Sequence, residues 1–124
     1  MIARPSISLA AALSGLLAPL PAGAAPAIFG RWLTDDGAAV VKVEPCGGQL
    51  CGRIDQVLDP RAPAKDVNNP NPSHRSRPLV GALVLEGFKG LGAAWTDGQA
   101  YDPKGGKSYS SRLLLLANGK LNTD

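Results

Sequence analysis

The sequence predicts an all-β fold, an antiparallel up-and-down meander of about eight short strands forming a small barrel. Two observations carry this. Asp36-Gly37, Asp97-Gly98 and Asn118-Gly119 each stand between apolar runs, and Asp-Gly and Asn-Gly tolerate the positive φ of tight hairpin turns. No stretch beyond residue 24 repeats its apolar residues with a helical period. The bulk composition agrees: 124 residues with 15 Gly, 11 Pro and a formal net charge of +3 suit one small, turn-rich domain. At 44% hydrophobic the chain is too apolar for disorder, and its glycines lack the period of three that collagen requires.

The first 24 residues read as a secretory signal peptide. Arg4 supplies positive charge, Ile7 to Leu20 is uncharged and mostly apolar, and Ala22-Gly23-Ala24 offers small residues for cleavage before Ala25. Pro19 and Pro21 argue against a membrane anchor, so the mature protein, residues 25–124, is expected to have no membrane span and to be periplasmic. Losing Arg4 lowers the net charge by one, and so small an excess argues against nucleic acid as a partner.

Ile28 to Thr34 is the first expected strand. Ala38 to Leu58 is a hairpin, with two β-branched runs around Gly47-Gly48. A turn centred on Gly48-Gln49 sets Cys46 opposite Cys51, Glu44 opposite Arg53 and Lys42 opposite Asp55. A turn on Gly47-Gly48 instead sets Lys42 against Arg53, so the first register is favoured by charge pairing. Cys46 and Cys51 are expected to form a disulfide in the oxidising compartment, closing a short loop that contributes about 2 kcal/mol. The Cys-x4-Cys spacing does not match a Cys-x-x-Cys redox motif, and two Cys with one His cannot complete a zinc site. Neither a metal nor a cofactor is expected.

Further strands are expected at Leu79 to Glu86, followed by a turn marked by Gly87, Gly90 and Gly92, then at Ala93 to Thr96, Gln99 to Asp102, Ser108 to Leu116 and Lys120 to Asp124. One connection breaks this rhythm. Asp59 to Pro78 holds five prolines and three asparagines, and a loop this long in so small a domain is either functional or disordered. Asp66 and Asn69 read as Asx-turn formers, with too few carboxylates nearby for calcium. His74, Arg75 and Arg77 supply donors for an anion. Four basic residues (Arg61, Lys65, Arg75, Arg77) against two acidic ones (Asp59, Asp66) make this loop the positive part of the molecule. No Ser, Cys or carboxylate is tied to His74 by a motif, so no catalytic residue is assigned.

A set of motifs carries a family resemblance: Phe29-Gly30-x-Trp32, Pro45-Cys46-Gly47, Leu50-Cys51-Gly52-Arg53-Ile54, Asp66-x-x-Asn69-Pro70, Arg75-Ser76-Arg77-Pro78-Leu79, Trp95-x-x-Gly98, and Tyr101-Asp102-Pro103-x-x-Gly106-Lys107. Together they resemble domain-of-unknown-function family 2147, small secreted proteins of Gram-negative bacteria, over nearly all of residues 28–121. The resemblance implies a calycin-like (lipocalin-like) barrel exported to the periplasm, with Gly30, Trp32, Trp95 and Tyr101 as structural positions. Family members continue beyond the strand beginning at Lys120 with a closing segment, whereas this sequence ends at Asp124, so either the sequence is a piece of a longer chain or the barrel is left open.

Two functions follow as expectations. One is a non-catalytic binding module for a small amphiphile or anion, with Arg75, Arg77, His74, Asp66 and Asn69 around the ligand. The other is a structural or interaction module of the cell envelope with a filled core and a protein partner.

Overall fold

The computed structural model describes residues 2–3 and 28–124. The expected signal peptide, residues 1–24, lies outside the described residues apart from Ile2 and Ala3. The strands are β1 (Ile2–Ala3), β2 (Gly30–Thr34), β3 (Ala39–Cys46), β4 (Gln49–Val57), β5 (Leu83–Leu91), β6 (Ala94–Asp102), β7 (Lys107–Leu115) and β8 (Lys120–Thr123). From β2 to β8 each strand pairs antiparallel with the next, giving a curled meander of seven strands. It is open between β2 and β8. Only the two residues of β1 stand in that gap, Ile2 opposite Thr34 and Leu121, Ala3 opposite Leu33 and Lys120.

The β3–β4 hairpin corrects the expected register. Cys46 lies opposite Gln49 and Lys42 opposite Arg53, so the turn is Gly47-Gly48, whose φ values are 56° and 81°. A type I′ turn needs positive φ at both central residues, matches strand twist best, and is available here because both are glycine. The two registers differ by two residues and therefore bury the same face, Val41, Val43, Leu50 and Ile54; hydrophobic pattern cannot choose between them. The like charges of Lys42 and Arg53 cost little because both side chains are exposed, and an Arg53 guanidinium N–H donates to the Gly81 carbonyl at 3.1 Å. A register shift next to Val40 leaves Asp55 without an opposite residue, and its carboxylate accepts from Arg31 Nε at 2.9 Å. The Cys46–Cys51 disulfide is present, on a diagonal of the ladder rather than a direct pair, with Cα atoms 5.8 Å apart.

Two further expectations change. The strand expected at Leu79 to Glu86 starts at Leu83 and continues through Gly87 and Gly90 to Leu91, and the turn is Gly92-Ala93. Asp97-Gly98 is not a hairpin turn: β6 runs straight through it, with Asp97 at φ 59° and a register shift against β7 between Trp95 and Gly98. The Asp-Gly pair supplies positive φ to a bulge instead. Two expected strands merge into one, which is why the count falls from about eight to seven.

That bulge serves packing. The Phe88 ring lies where a side chain on Gly98 would be. Phe88 is fully buried, together with Trp32, Val43, Leu50, Leu113 and Leu121, and these residues fill the half of the interior nearest the Gly47-Gly48, Gly92-Ala93 and Ala117-Gly119 turns. Trp32 Nε1 donates to the Ile28 carbonyl at 2.8 Å, so the indole is satisfied while buried. Trp95 packs at 5.9 Å, centroid to centroid, against Phe29. Toward the opposite end the inward residues shrink to Val41, Ile54, Leu85 and Ala100, and the interior is hollow there.

Gly98→Ala puts a methyl group into the Phe88 ring, and overpacking of this kind costs about 1–3 kcal/mol. Urea unfolding followed by tryptophan fluorescence is expected to show a midpoint shifted down with an unchanged slope; an unshifted midpoint would show that Phe88 does not depend on that space.

Candidate functional site

The hollow end is bordered by the β2–β3 turn, the long β4–β5 connection and the β6–β7 turn. The connection, residues 58–82, is ordered by its own hydrogen bonds. A bridge between Lys65 and Pro78 closes it into an excursion, with Asp66 N–H donating to the Arg77 carbonyl at 3.0 Å and Leu79 N–H to the Ala64 carbonyl at 2.9 Å. At its tip Pro72–His74 forms one turn of 3-10 helix, started by the Asn71 side chain, which accepts from Ser73 N–H at 3.1 Å. Asn68 Nδ2 donates to the Lys104 carbonyl at 3.1 Å, tying the loop to the β6–β7 turn.

The central tie is Asp66. It is 5% exposed and is the buried charged residue among the described ones. Its Oδ1 accepts from the Tyr101 hydroxyl at 2.8 Å and its Oδ2 from Asn69 Nδ2 at 2.8 Å. A buried carboxylate is tolerated only with such donors. Burial first, and the adjoining Asp66 carboxylate second, push the Tyr101 hydroxyl up to about 12, because both disfavour a phenolate there.

Two spaces meet at Tyr101. Inside the barrel mouth is a cavity of about 400 Å³ lined by Val41, Ile54, Val84, Leu85 and Ala100; a recess under the loop, beside Val57, Leu79 and Lys65, shares Ala38, Ile54 and Lys104 with it. Its rim is charged. Lys104 Nζ reaches Asp36 across two turns at 2.7 Å, a contact that lowers Asp36 and raises Lys104 from their ordinary values. Arg61 pairs with Asp59 at 3.2 Å. Lys65 makes no side-chain contact of this kind among the described residues. The second space is a cleft of about 660 Å³ outside the barrel, between the loop and the β4–β5–β6–β7 surface.

The expected site residues divide accordingly. Asp66, Asn69, His74 and Arg77 all line the outer cleft, while Arg75 does not: its Nε donates to the Asn69 carbonyl at 2.7 Å and braces the loop. Arg53, Glu86 and Ser108 line the same cleft and were not legible as site residues, since they lie on strands far away in sequence. Lys104 lines the mouth cavity and the recess, Lys65 and Arg61 line the recess, and the Arg75/Arg77 pair lines neither. Among the described residues no group of His, Cys, Asp and Glu has the arrangement to hold a metal, and no helix is long and apolar enough to cross a membrane.

The raised Tyr101 sets a pH dependence. A phenol whose folded value lies above its unfolded value of 10 stabilises the fold fully below pH 10, and that contribution disappears as pH rises toward about 12. Unfolding free energy is expected to fall between pH 10 and 12, and Tyr101→Phe should flatten that fall; identical slopes would show that the hydroxyl is not held by Asp66.

Residues 30–124 match the family model described as "Uncharacterized protein conserved in bacteria (DUF2147)". Among solved structures, the chain is similar to protein HP1028 from Helicobacter pylori, described as belonging to the lipocalin family, with a TM-score of 0.61 and 28% identity. The alignment covers 68% of this chain and 59% of that one, so the chain spans less than two thirds of its neighbour's length. No curated protein matches it. The family match extends over most of the chain, through the strands, the loop and the Asp66–Tyr101 tie alike: this chain belongs to the bacterial DUF2147 family, with a lipocalin-like fold.

Proposed function

We propose that this protein is a non-catalytic binding module of the periplasm that takes a small amphiphile with an anionic head at the barrel mouth. The observation that carries the reading is the division of the interior: Trp32, Phe88, Leu50, Leu113 and Leu121 fill one half, and Val41, Ile54, Leu85 and Ala100 leave the loop end hollow. The cavity of about 400 Å³ lies within the roughly 300–1,000 Å³ of small-molecule sites. An apolar tail against Val41, Ile54 and Leu85 gains about 0.8 kcal/mol per buried methylene. Lys65, with Arg61 and Lys104 beside the same recess, supplies positive charge for the head. The lipocalin-like fold of the family supports a small-ligand role. A filled envelope module has no use for a hollow end, and this favours binding over a purely structural role.

Calorimetric titration with octanoate tests the proposal. Ala100→Leu fills the cavity and is expected to weaken binding on the order of tenfold or more, since only the site is occluded. Lys65→Gln is expected to weaken it several-fold at low salt, with the difference shrinking as salt screens the charge. Failure of octanoate to bind the unaltered protein, or equal binding by Ala100→Leu, would overturn the mouth as the site.

A further inference from the structure

The outer cleft carries charges that the proposed mouth site does not use. The described arginines fall into two groups. Arg31, Arg61 and Arg112 each meet a carboxylate, Asp55 at 2.9 Å, Asp59 at 3.2 Å and Asp124 respectively. Arg53, Arg75 and Arg77 meet none: Arg53 and Arg75 donate only to backbone carbonyls, and the Arg77 side chain has no hydrogen-bond partner among the described residues. Of this second group, Arg53 on β4 and Arg77 on the loop line the outer cleft. Glu86 on β5 lines it as well, and its side chain makes neither an ion pair nor a hydrogen bond among the described residues.

Unpaired charges of both signs therefore share one concave space without reaching each other. A single inorganic anion satisfies only the guanidinium groups. Formal charge also balances within the cleft, two arginines against Glu86 and the internally bonded Asp66, so the site suits a guest with no net charge. The lining also includes apolar side chains, Pro70, Val80, Ala82 and Leu83. The walls are held in place, one by the sheet and the other by the Asp66–Tyr101 and Asn68–Lys104 bonds, so little ordering is required on binding.

We propose that the outer cleft is a second binding site, for a small zwitterion with an apolar body: an α-amino acid or a short peptide. Its carboxylate meets Arg77 and Arg53, its ammonium meets Glu86, and its side chain lies on Val80 and Leu83. This assignment is independent of what occupies the barrel mouth.

Three probes of nearly the same shape test it by calorimetry or NMR titration on the full chain carrying Ala100→Leu, which closes the mouth to the carboxylate probe: L-leucine, 4-methylpentanoate, which lacks the ammonium, and 3-methylbutylamine, which lacks the carboxylate. L-leucine is expected to bind on the order of tenfold more tightly than either analogue, because each analogue forfeits one charge-assisted contact. Arg77→Gln should remove the advantage over the amine, and Glu86→Gln the advantage over the carboxylate; both residues are exposed, and thermal melts of the two variants check that the fold is kept. Ala100→Leu should leave leucine binding unchanged, which separates this site from the mouth. Equal binding of the three probes, no effect of either charge substitution, no saturable leucine binding, or tighter binding of inorganic phosphate than of leucine would each overturn the assignment.

Discussion

A carboxylate taken out of water has to be met by donors, and in this protein that requirement organises the functional end. Asp66 sits in the middle of a proline-rich connection, far in sequence from any strand that could answer it, yet it is buried. Tyr101 on β6 supplies one donor across 35 positions of sequence and Asn69 supplies the other locally. The long-range bond anchors the loop to the sheet, and the local one shapes its turn. Remove the pair and the excursion is tied across to the β6–β7 turn by Asn68 alone, while the two ends of the connection stay bonded to the sheet through Leu58 N–H on the Ala38 carbonyl and Gly81 N–H on the Ile54 carbonyl.

Because Tyr101 lines both the mouth cavity and the outer cleft, this bond is also the partition between them. The two spaces differ in chemistry on either side of the same residue. Inside, Val41, Ile54, Leu85 and Ala100 leave an apolar hollow with ion pairs at the rim; outside, unpaired charges of both signs share a cleft with Pro70, Val80 and Leu83. The Asp36–Lys104 and Arg61–Asp59 pairs at the rim are solvent-exposed and add little to stability. Their effect is on the local field, since they pair Lys104 and Arg61 and leave Lys65, in the recess under the loop, as the cation without such a partner among the described residues.

Much of the architecture was legible because turns and strands are local. Asp36-Gly37 and Asn118-Gly119 form the hairpin turns expected of them, with Gly37 N–H bonded to the Thr34 carbonyl at 2.9 Å and Gly119 N–H to Leu116 at 3.0 Å. Asp97-Gly98 has the same local chemistry and a different outcome. Its positive φ is used for a bulge, because Phe88 from the neighbouring strand needs the space above Gly98. The disulfide was legible from spacing, but the hairpin register was not: shifting by two residues keeps the same apolar face buried, and turn conformation outweighed the exposed pairing of Lys42 with Arg53. Of the loop residues read as a site, Asp66, Asn69, His74 and Arg77 do converge, while Arg75 is spent on the Asn69 carbonyl.

By itself, then, the sequence determined the all-β meander, its family, the Cys46–Cys51 bridge and the long proline-rich loop that breaks the hairpin rhythm. Each of these depends on residues close together in the chain, where backbone preference and spacing act directly. Tertiary structure decided which half of the interior is filled, which cations face the mouth, and that Arg53 and Glu86 share a cleft with Arg77. Those outcomes depend on how curled strands place side chains from distant segments around one volume, and no local pattern encodes that distance.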